Sequence, residues 1–280
     1  NGFLQDTSLV AREMIEDLQL EDHGVQWNEK VPEVYVPSID GQGIYLGASQ
    51  KGFKEFKEFI RRVSGPIQSF LESVPPHFEK MTLYEKIYLL KTATSLRMLG
   101  KKDMLEVLRV PPMSVADWLS EWFEGDLLKA GMALGAVSCT NVGPWAPGTA
   151  INLLFKEVQS QKGLKGGPSS LIDGLLGVGR SLGIEFVEGN PVKEVLVQSG
   201  KVSGVLLSDG KQLEAKSVYS SCDPKNTFFN LFSPIHLPTK LEEQVKHYRS
   251  KGSVGVLNFA LKNSLIYKGG ESPVDRKSVV

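Results

Sequence analysis

Three groups of residues in this chain are of types that could do chemistry. Gly177-Val-Gly179-Arg-Ser-Leu-Gly183 looks at first like a phosphate loop. Such a loop must follow a strand and open a helix, so that free amides face the phosphate. Here residues 169–176 (SSLIDGLL) have helical spacing, and residues 184–186 (IEF) read as a strand. The glycines are therefore expected late in a helix, with Gly183 as its left-handed stop. The second group is two thiols, Cys139 and Cys222, far apart and without a CxxC or a histidine at metal spacing. Neither a zinc site nor a disulfide framework is expected, and the thiols are expected in the packed interior. The third group is four histidines, His23, His77, His236 and His247, which form no catalytic pattern and are expected on the surface.

Other residues have shapes that suit a binding wall. In residues 127–139 (LLKAGMALGAVSC), Gly131, Ala133, Gly135 and Ala136 would admit a flat ligand, or simply let another helix pack tightly. Residues 141–149 (NVGPWAPGT) form a Pro/Gly loop around Trp145, fit for a pocket wall or an ordinary connection. Residues 166–170 (GGPSS) open a helix, with Ser169 and Ser170 in its first turn.

The elements that must position these residues follow from periodicity. Residues 7–19 read as a helix with Leu9, Met14, Ile15 and Leu18 on one face and Thr7 or Ser8 as cap. Residues 34–36 and 44–46 read as a hairpin around turn chemistry. Residues 50–73 read as a helix that Pro66 kinks or divides, with Lys51, Lys54, Lys57, Arg61 and Arg62 interleaved as a solvated face or an anionic-lipid patch. A helix over 82–108 follows. Ser114, with Asp117 three residues on, caps the next, and Asp126 is expected to cap the one after. Residues 151–159 are helical. From residue 184 the period changes to two: Ile184–Phe186, then Val192, Val195 and Val197, then Val202, Val205 and Leu207, then Leu213 and Val218. Asp209-Gly210 marks a tight hairpin. Asp223-Pro224 starts a helix, 240–249 form another, and 254–260 read as a strand.

Composition excludes some partners. Lys+Arg and Asp+Glu both total 32 in 280 residues, so no whole-chain field draws nucleic acid. No apolar run approaches the length of a bilayer span. Both ends look cut, so an internal fragment is expected.

The run from Gly166 to Pro224 resembles the central segment of the phytoene desaturase-like FAD-dependent oxidoreductases, within the glutathione-reductase-type FAD superfamily that also holds amine oxidases. The matching pieces are Gly166-Gly167, Gly183-Ile-Glu-Phe186, Val192-Lys-Glu-Val195, the hairpin Gly200-Lys-Val-Ser-Gly-Val-Leu-Leu-Ser-Asp-Gly210, and Ser221-Cys-Asp-Pro224. Upstream, VADWLSEWFEGDLLKAGMALGAV and PWAPGTA resemble helices of the same family. The layout is most similar to the subgroup typified by pyridine nucleotide-disulphide oxidoreductase domain-containing protein 2. The family's opening GxGxxG and its closing glycine-rich FAD motif are not in this chain.

The resemblance implies an α/β (α+β) fold: part of a glutathione-reductase-type FAD-binding lobe with a β-meander, plus a mostly helical substrate lobe. The implied boundaries are 1–29 for a partial N-terminal segment, 30–155 for the substrate lobe, 156–235 for the FAD-binding segment, and 236–280 for a return to the substrate lobe. It implies hydride transfer from an apolar or amine-type substrate to FAD, with this piece inactive alone and binding FAD weakly or not at all. The alternative is a non-catalytic scaffold that retains the fold. By resemblance, the main chain of Val192 meets the adenine, and Ser221 and Cys222 pass close to the cofactor. Gly166, Gly167, Ser169, Ser170 and Trp145 border the substrate. No catalytic side chain is assigned, because the flavin performs the oxidation. No nucleic-acid partner is expected. Peripheral membrane contact, self-association, and an intracellular location (cytoplasmic or mitochondrial) are left open.

Overall fold

The computed structural model describes residues 10, 12–28, 34–39, 41, 43–47, 49–71, 73, 80–159, 163–249, 262 and 277–278. The chain divides into two compact units, 1–178 with 252–280, and 179–251. The division falls inside one helix.

The first unit is helical. Its core forms where α2 (Phe53–Leu71), α5 (Val115–Trp122), α6 (Asp126–Val137) and α7 (Thr149–Gln159) meet. Phe56, Phe59, Val63, Trp118, Leu119, Leu153 and Leu154 are buried there. Phe56 meets Trp118 edge-on at 5.4 Å and Trp122 at 5.5 Å between ring centroids. Rings in this arrangement bring their positive edges to negative faces, which adds to the gain from burial. Pro66 lies within α2, which continues through it rather than dividing.

Local chemistry sets the helix ends. The Ser114 side chain accepts from the Asp117 N–H at 3.1 Å, as its position predicts. Thr82 and Glu85 form a reciprocal capping box at the start of α3 (Leu83–Met98). The expected single helix over 82–108 is broken at Leu99, and α4 (Gly100–Arg109) begins at Gly100, whose φ is +84°. A positive φ is easy for glycine and hard for its neighbours, so the chain turns there. Asp126 does not cap α6. Gly125 holds the cap position, and Asp126 lies one residue inside, paired with Lys129 at 2.7 Å.

The predicted hairpin pairs β1 (Val34–Val36) with β2 (Ile44–Leu46), and β6 (Lys277–Ser278) joins β1 in parallel. Of the helix predicted over 7–19, the described part is α1 (Arg12–Asp17), which buries Ile15. Ile15 joins Leu20, Val25 and Leu164 in a smaller cluster. There Trp27 bridges to Leu164 just before α8 (Gly167–Ser181).

The second unit is a three-stranded antiparallel meander, β3 (Val192–Gln198), β4 (Lys201–Leu207) and β5 (Gln212–Glu214), followed by α9 (Thr239–His247). Gly204, in the central strand, lies against the Leu213 carbonyl where a β-carbon would collide. Only glycine allows the strands so close there.

Several expectations are corrected. Residues 184–186 are not a strand but exposed, irregular chain, as are the residues around Val218. Alternation gives strand potential, but a strand also needs a neighbour, and β3 and β5 are the outer strands of this sheet. Instead Phe186 is drawn to α8, where its ring fills the space beside Gly179. Cys139 and Cys222 are exposed rather than buried, because each sits in a loop at a helix end. His23 is only half-exposed and packs over Gly177. His77 and the strand expected over 254–260 lie outside the described residues.

Candidate functional site

The lure at Gly177–Gly183 resolves as expected. Gly177 and Gly179 lie in the last turns of α8. Gly183 has φ +71°, its N–H donates to Arg180 O at 3.1 Å, and the Ile184 N–H donates to Gly179 O at 2.9 Å. This pair of bonds is the Schellman ending of a helix, not a phosphate cradle. Gly174 and Gly177 instead let Val25 and His23 approach the helix.

At the other end of α8, Gly166 and Gly167 have φ of +80° and +63°. The Gly167 N–H donates to Leu164 O at 3.1 Å, so the glycine pair turns the chain from the Trp27–Leu164 bridge into the helix. Ser169 is exposed and Ser170 half-buried on the first turn. Trp145 stands 72% exposed on its loop. All five residues belong to the first unit, whereas Val192, Ser221 and Cys222 belong to the second.

Val192 has the most informative main chain. It pairs with Leu207 across β3 and β4. The Ser208 N–H donates to Pro191 O at 2.9 Å, while the Leu207 N–H turns back to Lys211 O. A bond that brackets the pair from outside marks it as a wide antiparallel pair, whose own N–H and C=O point away from the partner strand. The N–H and C=O of Val192 therefore face the open side of β3. A bulge at Lys193 follows, and the Val195 N–H on that same side is taken by Leu231 O at 2.7 Å. The turn beside Val192 is fixed by Asp209, whose Oδ1 accepts from the Lys211 N–H at 2.9 Å. That bond, together with the Asn190 side chain, holds the Asp209 carboxyl below its usual range.

Ser221 and Cys222 are exposed. The bend that carries them is set by Ser220, whose Oγ accepts from the Cys222 N–H at 3.3 Å and bonds the buried Thr227 Oγ1 at 2.8 Å. Asp223 Oδ1 caps the following turn through the Asn226 N–H at 3.0 Å. The Asp-Pro pair announced that turn in the sequence. Nothing in the sequence announced the Ser220–Thr227 bond.

The first unit carries a cleft of about 430 Å³ between residues 36–39 and α6. Leu127, Ala130, Gly131 and Leu134 form one wall, and Val36 and Ile39 stand on the other. A β-carbon at Gly131 would come within 2.6 Å of Val36 Cγ2, so this glycine sets how closely β1 approaches the helix. The other small residues serve packing. Ala133 and Ala136 are in the core, and Gly135 lies against Lys156. The cleft has the size and apolar lining of a small-molecule site.

No protein-family profile matches the chain. Pyridine nucleotide-disulfide oxidoreductase domain-containing protein 2 of Rattus norvegicus is 26% identical over 293 aligned positions, covering 91% of this chain and 50% of that protein. The Fusarium fujikuroi phytoene desaturase is 28% identical over 170 positions, covering 58% of this chain and 29% of its own length. This chain is homologous to both. It spans about half the length of the curated relatives it matches first. The expected resemblance to that subgroup and to the phytoene desaturases therefore holds. An oxidoreductase from Methanosarcina mazei superposes with a TM-score of 0.51 at 15% identity, over 88% of this chain and 53% of that one. The mixed α/β fold is thus shared with an oxidoreductase of known structure.

Proposed function

We propose that this chain is part of an FAD-dependent oxidoreductase acting on an apolar or amine-type organic substrate. The observation that carries the reading is the main chain of Val192. It offers one donor and one acceptor side by side at the open edge of a sheet, which is what the edge of an adenine requires. The Val192 side chain is 38% exposed, so a flat ring can reach the strand. Homology to two named oxidoreductases supports the same reading.

The residues present fit the adenine end of the cofactor. Val192 would hold the base, and the exposed main chain at Ser221–Cys222 would lie along the nucleotide. When bound, FAD supplies the hydride acceptor. The chain's own residues have a smaller task. The apolar wall of the cleft, Leu127, Leu134 and Val36, binds and orients a hydrocarbon-rich substrate. Neither exposed thiol is given a redox role: both are free, and flavin–disulfide chemistry needs two sulfurs side by side.

The test is Val192→Pro. This substitution removes the outward N–H while leaving the bond from Ser208 to Pro191 in place. We expect AMP binding, measured by calorimetry, to weaken about tenfold or more, the scale of one lost hydrogen bond in a dry site. Unchanged nucleotide binding by a folded V192P chain would overturn the reading.

A further inference from the structure

We propose that the outer face of α3, with the start of α4, is an interfacial surface that docks on an anionic lipid membrane. This inference is independent of the flavin reading. α3 has no buried residue. Its inward side is only half-buried and is held to α2 by Tyr88, whose Oη donates to Ser69 O at 2.9 Å. Its outward side presents Leu83, Ile87 and Leu90 at helical spacing, with Leu83 74% and Leu90 69% exposed. Tyr84 and Met98 flank the stripe, and Leu105 and Leu108 of α4 are exposed as well. Water-facing helices do not normally spend their surface this way.

Charge decides the occupant. Of the five cations on and just before α2, Lys51 pairs with Glu124, Lys57 with Glu157 and Arg62 with Asp103, while Lys54 and Arg61 form no ion pair among the described residues. Around α3 the balance is different. Lys80, Lys86, Lys91, Arg97, Lys101 and Lys102 are exposed, and none forms an ion pair among the described residues. The nearby acids are already engaged, Glu85 in the capping box and Asp103 with Arg62. An exposed apolar stripe rimmed by cations is the pattern of a helix lying in the headgroup plane. A second copy of the chain fits poorly, because a two-fold contact would set these six cations against themselves. No described helix is long and apolar enough to cross a membrane, so the contact proposed is with one leaflet.

The experiment is co-sedimentation of the 280-residue chain with phosphatidylcholine vesicles that contain or lack phosphatidylserine. We expect binding to the anionic vesicles, weak binding to the neutral ones, and loss of binding at high salt. Ile87→Gln with Leu90→Gln should abolish binding while leaving the circular dichroism unchanged, since both side chains face outward. Lys86→Gln and Lys91→Gln should each weaken it about fivefold. Equal binding to neutral vesicles, or no binding to anionic ones, would overturn the proposal. So would a dimer in sedimentation analysis that I87Q/L90Q dissolves, because the face would then belong to a second copy. Retention on a soluble acidic polymer that I87Q/L90Q leaves intact, without vesicle binding, would assign the cations to an acidic protein and also overturn it.

Discussion

The two units are built by different means. The first holds a large aromatic and aliphatic core in which Phe56, Phe59, Trp118 and Leu119 are almost fully buried. The second buries few apolar side chains, Val195, Leu207 and Val245 among them. It is shaped by its ladder, by Gly204, and by turn bonds such as Asp209 to Lys211. Ile184, Phe186, Val187 and Tyr219 are exposed on it. The first unit has the means to be stable, and the second has the means to present bare main chain to a ligand. Native-state hydrogen exchange would show this directly, with slow amides in α2, α5 and α7 and faster ones in β3 and β5.

The largest break in the comparison should come from the aromatic core. Trp118→Ala removes a buried ring and leaves the Glu106 carboxylate without its indole donor, a bond of 3.0 Å. We expect a loss of about 3–5 kcal/mol in urea unfolding, a large share of the stability of a domain. Next is Gly204→Ala. The new methyl collides with the Leu213 carbonyl, at a backbone φ of +156°. The cost is about 2–3 kcal/mol, read as lost amide dispersion across the meander while the first-unit resonances stay in place.

Much of the first unit was legible in the sequence, because apolar spacing and capping chemistry are local signals. The Ser114 cap, the 34–46 hairpin and the start of α8 all stand as expected. Phe59, which stands among the charged residues of α2, is buried against Trp122 at 5.5 Å. The failures share a cause. Ile184–Phe186 had the alternation of a strand but no neighbour in this sheet, and the thiols had interior chemistry but loop positions. The site was legible in part. The glycines of α8 could be placed late in a helix because the helical spacing before them was readable, although the strand expected after them does not form. The outward main chain of Val192 depends on a bulge at Lys193, and a bulge leaves no mark on side-chain alternation that identifies it in advance.

A smaller effect sharpens the energetics of the first unit. Asp103 is almost buried and accepts from Arg62 Nε at 2.6 Å and from Nη2 at 3.1 Å. The guanidinium holds its carboxyl below the usual carboxylate range. A lowered folded-state value means that the contribution is fully present above the ordinary carboxylate pKa and is lost as pH falls through the folded value. Asp103→Asn should therefore cost about 1–2 kcal/mol at neutral pH. The gap from the parent chain should close on acidification below about pH 4, as urea midpoints across pH would show.

The central claim concerns one strand edge, and amide NMR tests it most directly. Titrating AMP into the ¹⁵N-labelled chain should move the Val192 amide first and furthest, with the Ser221–Cys222 amides following and the α8 amides at Gly177 and Gly179 unmoved. Shifts at Gly177–Gly183 with Val192 silent would contradict the account and return the nucleotide to the glycine run set aside here.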